Sequence, residues 1–146
     1  MPNAYQSRAE REISSALTRY CIPFIYEKPT AVIDAGKTKI WYPDFTLPYG
    51  VLIEYFGING SHDYRERTKH KLKVYEENQF EVVDLYPADL RGSWHQRFLN
   101  RIDSTLEHQL ADYRRRIAAA QRHRQRPRKS RSMAYSKMSR LFHTWR

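Results

Sequence analysis

Cysteine is almost missing from this chain. The one thiol, Cys21, excludes an internal disulfide and any zinc site built on cysteines. Standing between Tyr20 and Ile22, it reads as a plain buried thiol. Long apolar runs are missing too, since none approaches the roughly 20 residues that a membrane-spanning helix needs. The stretch from Met1 to Arg11 lacks the apolar segment of a secretory signal. These absences lead us to expect a soluble, intracellular protein with no membrane partner. Acidic residues are absent from positions 114–146, which hold 12 Lys and Arg and no Asp or Glu. Residues 1–113 carry 14 Lys and Arg against 16 Asp and Glu, so the excess behind the net charge of +10 lies at the C-terminus. Such an arm attracts polyanions, nucleic acid first and anionic membrane second. Solubility alone also accounts for a basic tail, and charge says nothing about chemistry.

The chain does hold enough apolar material to fold. Its 146 residues, 40% hydrophobic and 14% aromatic, suit one ordinary domain with a modest core plus a tail. We place the domain at 1–113 and a basic extension at 114–146, a helix continuation followed by a flexible arm. There is no internal repeat, and no separate readout module such as a zinc finger or a helix-turn-helix.

Periodicity supplies the elements. Ile13, Leu17 and Tyr20 recur at helical spacing behind Ser7, a natural N-cap, and Pro23 ends that helix. Phe24-Ile25-Tyr26 is extended, and a strand around Val32-Ile33 turns at Asp34–Lys37. Ile40-Trp41-Tyr42 leads into Pro43–Leu47 and the turn Pro48-Tyr49-Gly50. Val51–Phe56 is an almost wholly apolar run of the kind that fills a central strand buried on both faces. A helix over Tyr64–Asn78, with Leu72 and Tyr75 inward, is followed by a strand at Phe80–Tyr86. From Ser93 a long helix carries Phe98, Ile102, Leu106, Leu110, Tyr113 and Ile117 as an apolar seam, and Pro127 stops it near Arg124. The order of helix, three or four strands, helix, strand, helix predicts an α/β sandwich with a mixed sheet.

Two carboxylates fall where chemistry needs them. Asp44 follows a strand-like segment and Glu54 lies near the end of the next strand, so a short turn sets them side by side. Paired hard oxygens, with water and a phosphate oxygen, are how proteins hold Mg²⁺. On spacing alone, surface carboxylates at strand ends explain the pair equally well.

The text around the pair says more. Pro43-Asp44-Phe45 followed by Ile53-Glu54-Tyr55-Phe56-Gly57 resembles the PD-(D/E)XK nuclease superfamily. Within it the segment looks most like the compact branch of very-short-patch-repair-like and Holliday-junction-resolvase-like enzymes. Ser7, Glu10, Ile13 and Leu17 look like that branch's first helix, and Tyr26-Glu27 like the strand after it. Tyr64, Arg67, Lys71 and Tyr75 resemble its next helix, and Val83–Leu90 its last strand and turn. The likeness covers about residues 7–102 in short, degenerate pieces. It implies a restriction-endonuclease-like α/β sandwich with a central mixed sheet.

The resemblance implies a metal held by Asp44 and Glu54, with Glu10 assisting directly or through water. Glu27 is a weaker candidate, and a plain helix-start carboxylate favoured by the dipole is the other reading of Glu10. The family places a lysine two residues after the glutamate, where this chain has Phe56. Several branches supply the lysine from the next helix, and Lys71 is the candidate here. Lys69 and Lys73 lie on other faces and read as solvated charges. His62 and His70 read as ordinary polar residues, with a general base as the alternative.

Arg65 and Arg67 are the expected phosphate contacts of the domain, because a guanidinium grips two oxygens at once. Arg114, Arg115, Arg116, Arg122, Arg124, Arg126, Arg128, Lys129 and Arg131 are those of the extension. Tyr135, Phe142 and Trp145 are aromatic groups suited to stacking on unpaired bases, or to docking on the core.

The expected function is a metal-dependent DNA endonuclease, using Mg²⁺ with Mn²⁺ as substitute. It would act on duplex or branched DNA as a homodimer, with structure-selective cutting, junction-resolving or nicking. The alternatives are a homing or restriction-type endonuclease, and a weakly active or inactive nuclease-fold subunit that binds nucleic acid in a larger assembly.

Overall fold

In a computed structural model, residues 5–57 and 61–125 are described. The expected basic arm beyond Pro127 and its aromatic residues lie outside them. The chain divides into two units, Met1–Asp112 and Tyr113–Arg146.

Ser7 opens the first helix, α1 (Arg8–Arg19), by accepting a hydrogen bond from the Glu10 N–H on its side chain. The helix closes as a Schellman motif: Ile22 N–H returns to Leu17 O and Cys21 N–H to Thr18 O. Cys21 takes φ +55° there and is exposed, not buried as its apolar neighbours imply. The turn that ends the helix aims the side chain outward, which a hydrophobic pattern does not encode.

Five strands precede the second helix: β1 (Ile25–Tyr26), β2 (Thr30–Asp34), β3 (Lys37–Trp41), β4 (Phe45–Thr46) and β5 (Leu52–Tyr55). They are followed by α2 (His62–Glu77), β6 (Val82–Leu85) and α3 (Trp94–Gln125). The main sheet runs β1-β4-β5-β6, antiparallel except for the parallel pair β5·β6. The molecule is therefore mixed α/β, with a mixed four-stranded sheet and three helices.

One more strand appears than the sequence pattern predicts, because β2 and β3 form a separate two-stranded hairpin. Its two-residue turn, Ala35-Gly36, has φ +50° and +73°. Both central residues of the tight hairpin turn that matches strand twist need positive φ, which glycine adopts without strain. Asn78, at the end of α2, fastens the hairpin by accepting from Ile33 N–H at 2.7 Å and donating to Ile33 O at 2.9 Å.

β5 is the central strand, and its alternation divides the core. Ile53 joins Ile13, Leu17, Phe45, Val83, Leu85, Phe98 and Ile102 in one cluster with α1 and α3. Leu52 joins Val32, Val74 and Tyr75 in a second cluster with α2 and the hairpin. Each such buried aliphatic or aromatic side chain contributes roughly 1.5–3 kcal/mol. Period two then puts Glu54 on the α2 side with Leu52. Leu72 is only half-buried, and Val74 with Tyr75 forms the inward stripe of α2 instead.

In α3 the expected seam holds for its first half. Phe98 and Ile102 are buried and Leu106 and Leu110 half-buried. In the second unit the described residues 113–125 are helical, with Tyr113 and Ile117 exposed. No helix among the described residues is long and apolar enough to cross a membrane.

Candidate active site

The site starts from a register. β4 and β5 pair Phe45 with Ile53 and Thr46 with Leu52. One step further along that register, Asp44 stands opposite Glu54. Asp44 Oδ2 accepts the Tyr55 N–H at 2.7 Å. Its own carbonyl accepts the Glu27 N–H at 3.1 Å, which ties β1 to the same corner.

Glu54 is 2% exposed, and both of its oxygens are engaged from α2. Lys71 Nζ lies 2.7 Å from Oε2, and the Tyr75 hydroxyl donates to Oε1 at 2.7 Å. Lys71 and Tyr75 are four residues apart, so one helical face delivers both. The ammonium also lies 5.9 Å from the Tyr75 ring centroid, within cation–π range.

Phe56, at the position where the resemblance leads one to expect lysine, is buried with its ring 5.7 Å from that of Tyr86. An apolar ring therefore fills that position, and the cation beside Glu54 comes from the helix.

Glu10 lies in the first turn of α1 and is buried. Its Oε2 accepts the Tyr26 hydroxyl at 2.6 Å and the Gln6 N–H at 2.9 Å. Gln6 reaches across to donate its side-chain amide to Glu27.

Burial and like charge govern the electrostatics. Asp44 is pushed up to about 7, first by burial, then by the charge of Glu54 and, more weakly, Glu10; the Tyr55 N–H and Lys71 oppose this. Burial also raises Glu54, against the pull of Lys71 and Tyr75. The hydroxyls of Tyr75 and Tyr26 are raised, mainly by burial and then by the carboxylates they serve, so both remain donors. Asp44 and Glu54, two adjacent carboxylates, thus share a single ammonium.

A divalent cation would relieve that imbalance, and hard oxygens are the right donors for Mg²⁺. Among the described residues, no three His, Cys, Asp or Glu side chains are grouped to hold a metal ion. Asp44 and Glu54 could supply two ligands. Mg²⁺ commonly takes only one or two carboxylates and completes its shell with water and phosphate. The donor set fits on those terms.

A cleft of about 750 Å³ gives access to Asp44 and Lys71. Arg67 and His70 of α2 line one side, and Trp41 and Tyr42 the other. Arg67 shares the face of Lys71, four residues before it. Arg65 is exposed and does not line this cleft. His62 is exposed at the start of α2, whereas His70 Nε2 lies 3.2 Å from Asp34 of the hairpin. Lys69 and Lys73 form surface pairs with Glu66 and Glu77.

Arg114, Arg115, Arg116, Arg122 and Arg124 are exposed on the helix of the second unit. Arg126, Arg128, Lys129 and Arg131 lie outside the described residues.

Sequence reasoning gave no site role to Tyr26, Gln6, Trp41 or Tyr42, and read Tyr75 as an inward residue of the helix that carries Lys71. The i, i+4 relation of Lys71 and Tyr75 was the one signal available for these. Tyr26 meets Glu10 through a loop closure that no local pattern records. Comparison with protein-family models, curated proteins and solved structures finds no match.

Proposed function

We propose that this chain is a metal-dependent endonuclease of the PD-(D/E)XK type, with a restriction-endonuclease-like sandwich, that hydrolyses phosphodiester bonds in DNA. The observation that carries the reading is that Asp44 and Lys71 line one open cleft, with Lys71 bound at 2.7 Å to the buried Glu54 that stands opposite Asp44. Asp44 and Glu54 would hold Mg²⁺ or Mn²⁺, with Glu10 reaching it through water. That ion supplies charge neutralisation at the phosphate and a more acidic water.

The remaining work falls to the chain's own groups. Lys71 sets an ammonium where negative charge grows on the phosphate, a role the family gives to the lysine replaced here by Phe56. Arg67, one turn away, is placed to grip a non-bridging oxygen. Tyr75 fixes the orientation of Glu54, and Tyr26 does the same for Glu10. Water attacks in line, and the P–O bond on the opposite side breaks.

One such site cuts one strand, so cleavage of both strands calls for a homodimer. The basic extension binds without regard to sequence, which favours structure-selective cutting, junction-resolving or nicking, over restriction-type cutting.

A second reading has one observation in its favour: both oxygens of Glu54 are already hydrogen-bonded within the protein. On that reading the chain is a nuclease-fold subunit that binds nucleic acid without cutting it.

The test is cleavage of labelled four-way junction, nicked and linear duplex DNA in millimolar Mg²⁺, beside Asp44→Asn. Cutting that vanishes in the variant is the expected result, and the favoured substrate would name the type. Binding by both proteins with no cutting of any substrate would leave the second reading.

A further inference from the structure

A second cleft, of about 560 Å³, opens between α1 and the start of α3. Its lining includes Arg8, Arg11, Glu12, Arg19, Trp94 and His95. Arg8, Arg11, Ser15 and Arg19 recur at steps of three and four, so they share one exposed stripe of α1. Glu10, Ile13 and Leu17 form the opposite, buried stripe. This cleft therefore lies across the helix from Glu10.

Its charge is one-sided. The one acid in the lining, Glu12, is already paired with Arg8 at 2.9 Å. Neither Arg11 nor Arg19 has an ion pair among the described residues. Trp94 and His95 open α3, a helix of 32 residues with no acidic residue in its first turn. A helix start carries partial positive charge. Gathering guanidinium groups there is unfavourable until an anion arrives. The stripe from Arg8 to Arg19 is about 16 Å long at 1.5 Å per residue. That exceeds the span of one small anion and suits a row of phosphates. The Trp94 and His95 rings, with centroids 4.2 Å apart and inclined at 45°, line the cleft beside the row.

We propose that this cleft is a second nucleic-acid site, which binds the phosphodiester backbone of a segment other than the one at the carboxylates. The inference rests on the nucleic-acid part of the proposed function and not on its chemistry. Two segments held on opposite faces of α1 call for DNA that is branched or sharply bent.

The test uses the full chain carrying Asp44→Asn, without divalent metal, against the same protein with Arg11→Ala and Arg19→Ala added. Binding to a four-way junction and to a short linear duplex is followed by fluorescence anisotropy across a salt series. Both arginines are exposed, and a circular-dichroism melt checks that the fold is kept.

For the junction, the slope of log K against log salt should fall by about two, one for each phosphate contact removed. Affinity at fixed salt should fall at least tenfold, with a smaller change for the duplex. Unchanged slopes on both DNAs would overturn the proposal, as would equal losses on both. Calorimetric binding of inorganic phosphate with DNA slopes unchanged would make this a small-anion site and also overturn it. Binding is read without cleavage, so a chain that binds but never cuts leaves this result standing. A parent protein that binds no DNA removes both readings.

Discussion

Lys71 of α2 lies 2.7 Å from Glu54 of β5, a carboxylate that is 2% exposed. The lysine side chain keeps 31% of its own exposure, so the pair sits at the boundary between core and cleft. Removing a buried ion's only counter-charge is costly, while replacing both partners by neutral groups is not. Lys71→Met should therefore destabilise the protein by about 1–3 kcal/mol, less than for a fully buried pair because water screens the lysine. Adding Glu54→Gln should recover most of that loss while cleavage stays at background. Urea unfolding of the two single variants and the double variant closes the cycle, and a double variant no more stable than Lys71→Met would contradict the pairing.

Asp44 ties the protein's stability to pH. Its folded value of about 7 lies above that of an ordinary aspartate, 3.8. A raised acid holds its proton more tightly when folded, so its contribution is fully present below about pH 4 and is lost as pH rises through 7. At about 1.4 kcal/mol per unit, the loss has an upper bound near 4 kcal/mol. In EDTA, the urea midpoint should fall between pH 5 and pH 8, and Asp44→Asn should flatten that fall. The asparagine oxygen can still accept the Tyr55 N–H, so the variant removes charge and little else. A midpoint equally pH-dependent in both proteins would refute the assignment.

Divalent metal should act in the opposite direction. Anything that binds the folded state alone stabilises it by mass action. At pH 8, Mg²⁺ or Mn²⁺ should raise the melting temperature by several degrees, and Asp44→Asn should abolish the rise. Identical melting curves with and without metal in the parent protein would remove the ion from the proposed mechanism.

Phe56 offers a stringent check on the substitute lysine. Phe56→Lys, which places lysine where the proposed nuclease motif has it, puts an ammonium into a buried place beside the Tyr86 ring. The expected cost is about 2–4 kcal/mol, from lost packing and a desolvated charge. Cleavage per folded molecule should not rise, because Lys71 already serves Glu54. A clear gain in rate would show instead that Lys71 does not fill the role.

Tyr75 carries a buried hydrogen bond that can be removed without changing shape. Tyr75→Phe leaves Glu54 Oε1 without its donor, and burial makes an unmet acceptor cost about 1–3 kcal/mol. Thermal melts and cleavage rates of this variant should fall together, since the same bond orients the carboxylate.

Much of this fold is written locally. Ser7 as a helix cap, the apolar run that became β5 and the step from Lys71 to Tyr75 depend on neighbours a few residues away. Propensity and periodicity report such neighbours directly. The spacing of Asp44 and Glu54 around the turn at Pro48 likewise anticipated their meeting, because an antiparallel pair fixes which residues face each other. What the sequence left open depended on distant contacts. β2 and β3 form a hairpin apart from the main sheet, fastened to the end of α2 by Asn78, 45 residues from Ile33 in the chain. Cys21 points outward because a Schellman turn follows α1, although its neighbours read as core. The burial that lifts Asp44 to about 7, the Tyr26–Glu10 bond and the arginine stripe facing the start of α3 exist only once elements remote in the chain pack together. The sequence by itself determined which residues were able to carry charge and chemistry. The tertiary structure alone decided which of them share a low-dielectric site, because charge interactions and desolvation depend on distance in space and not on distance along the chain.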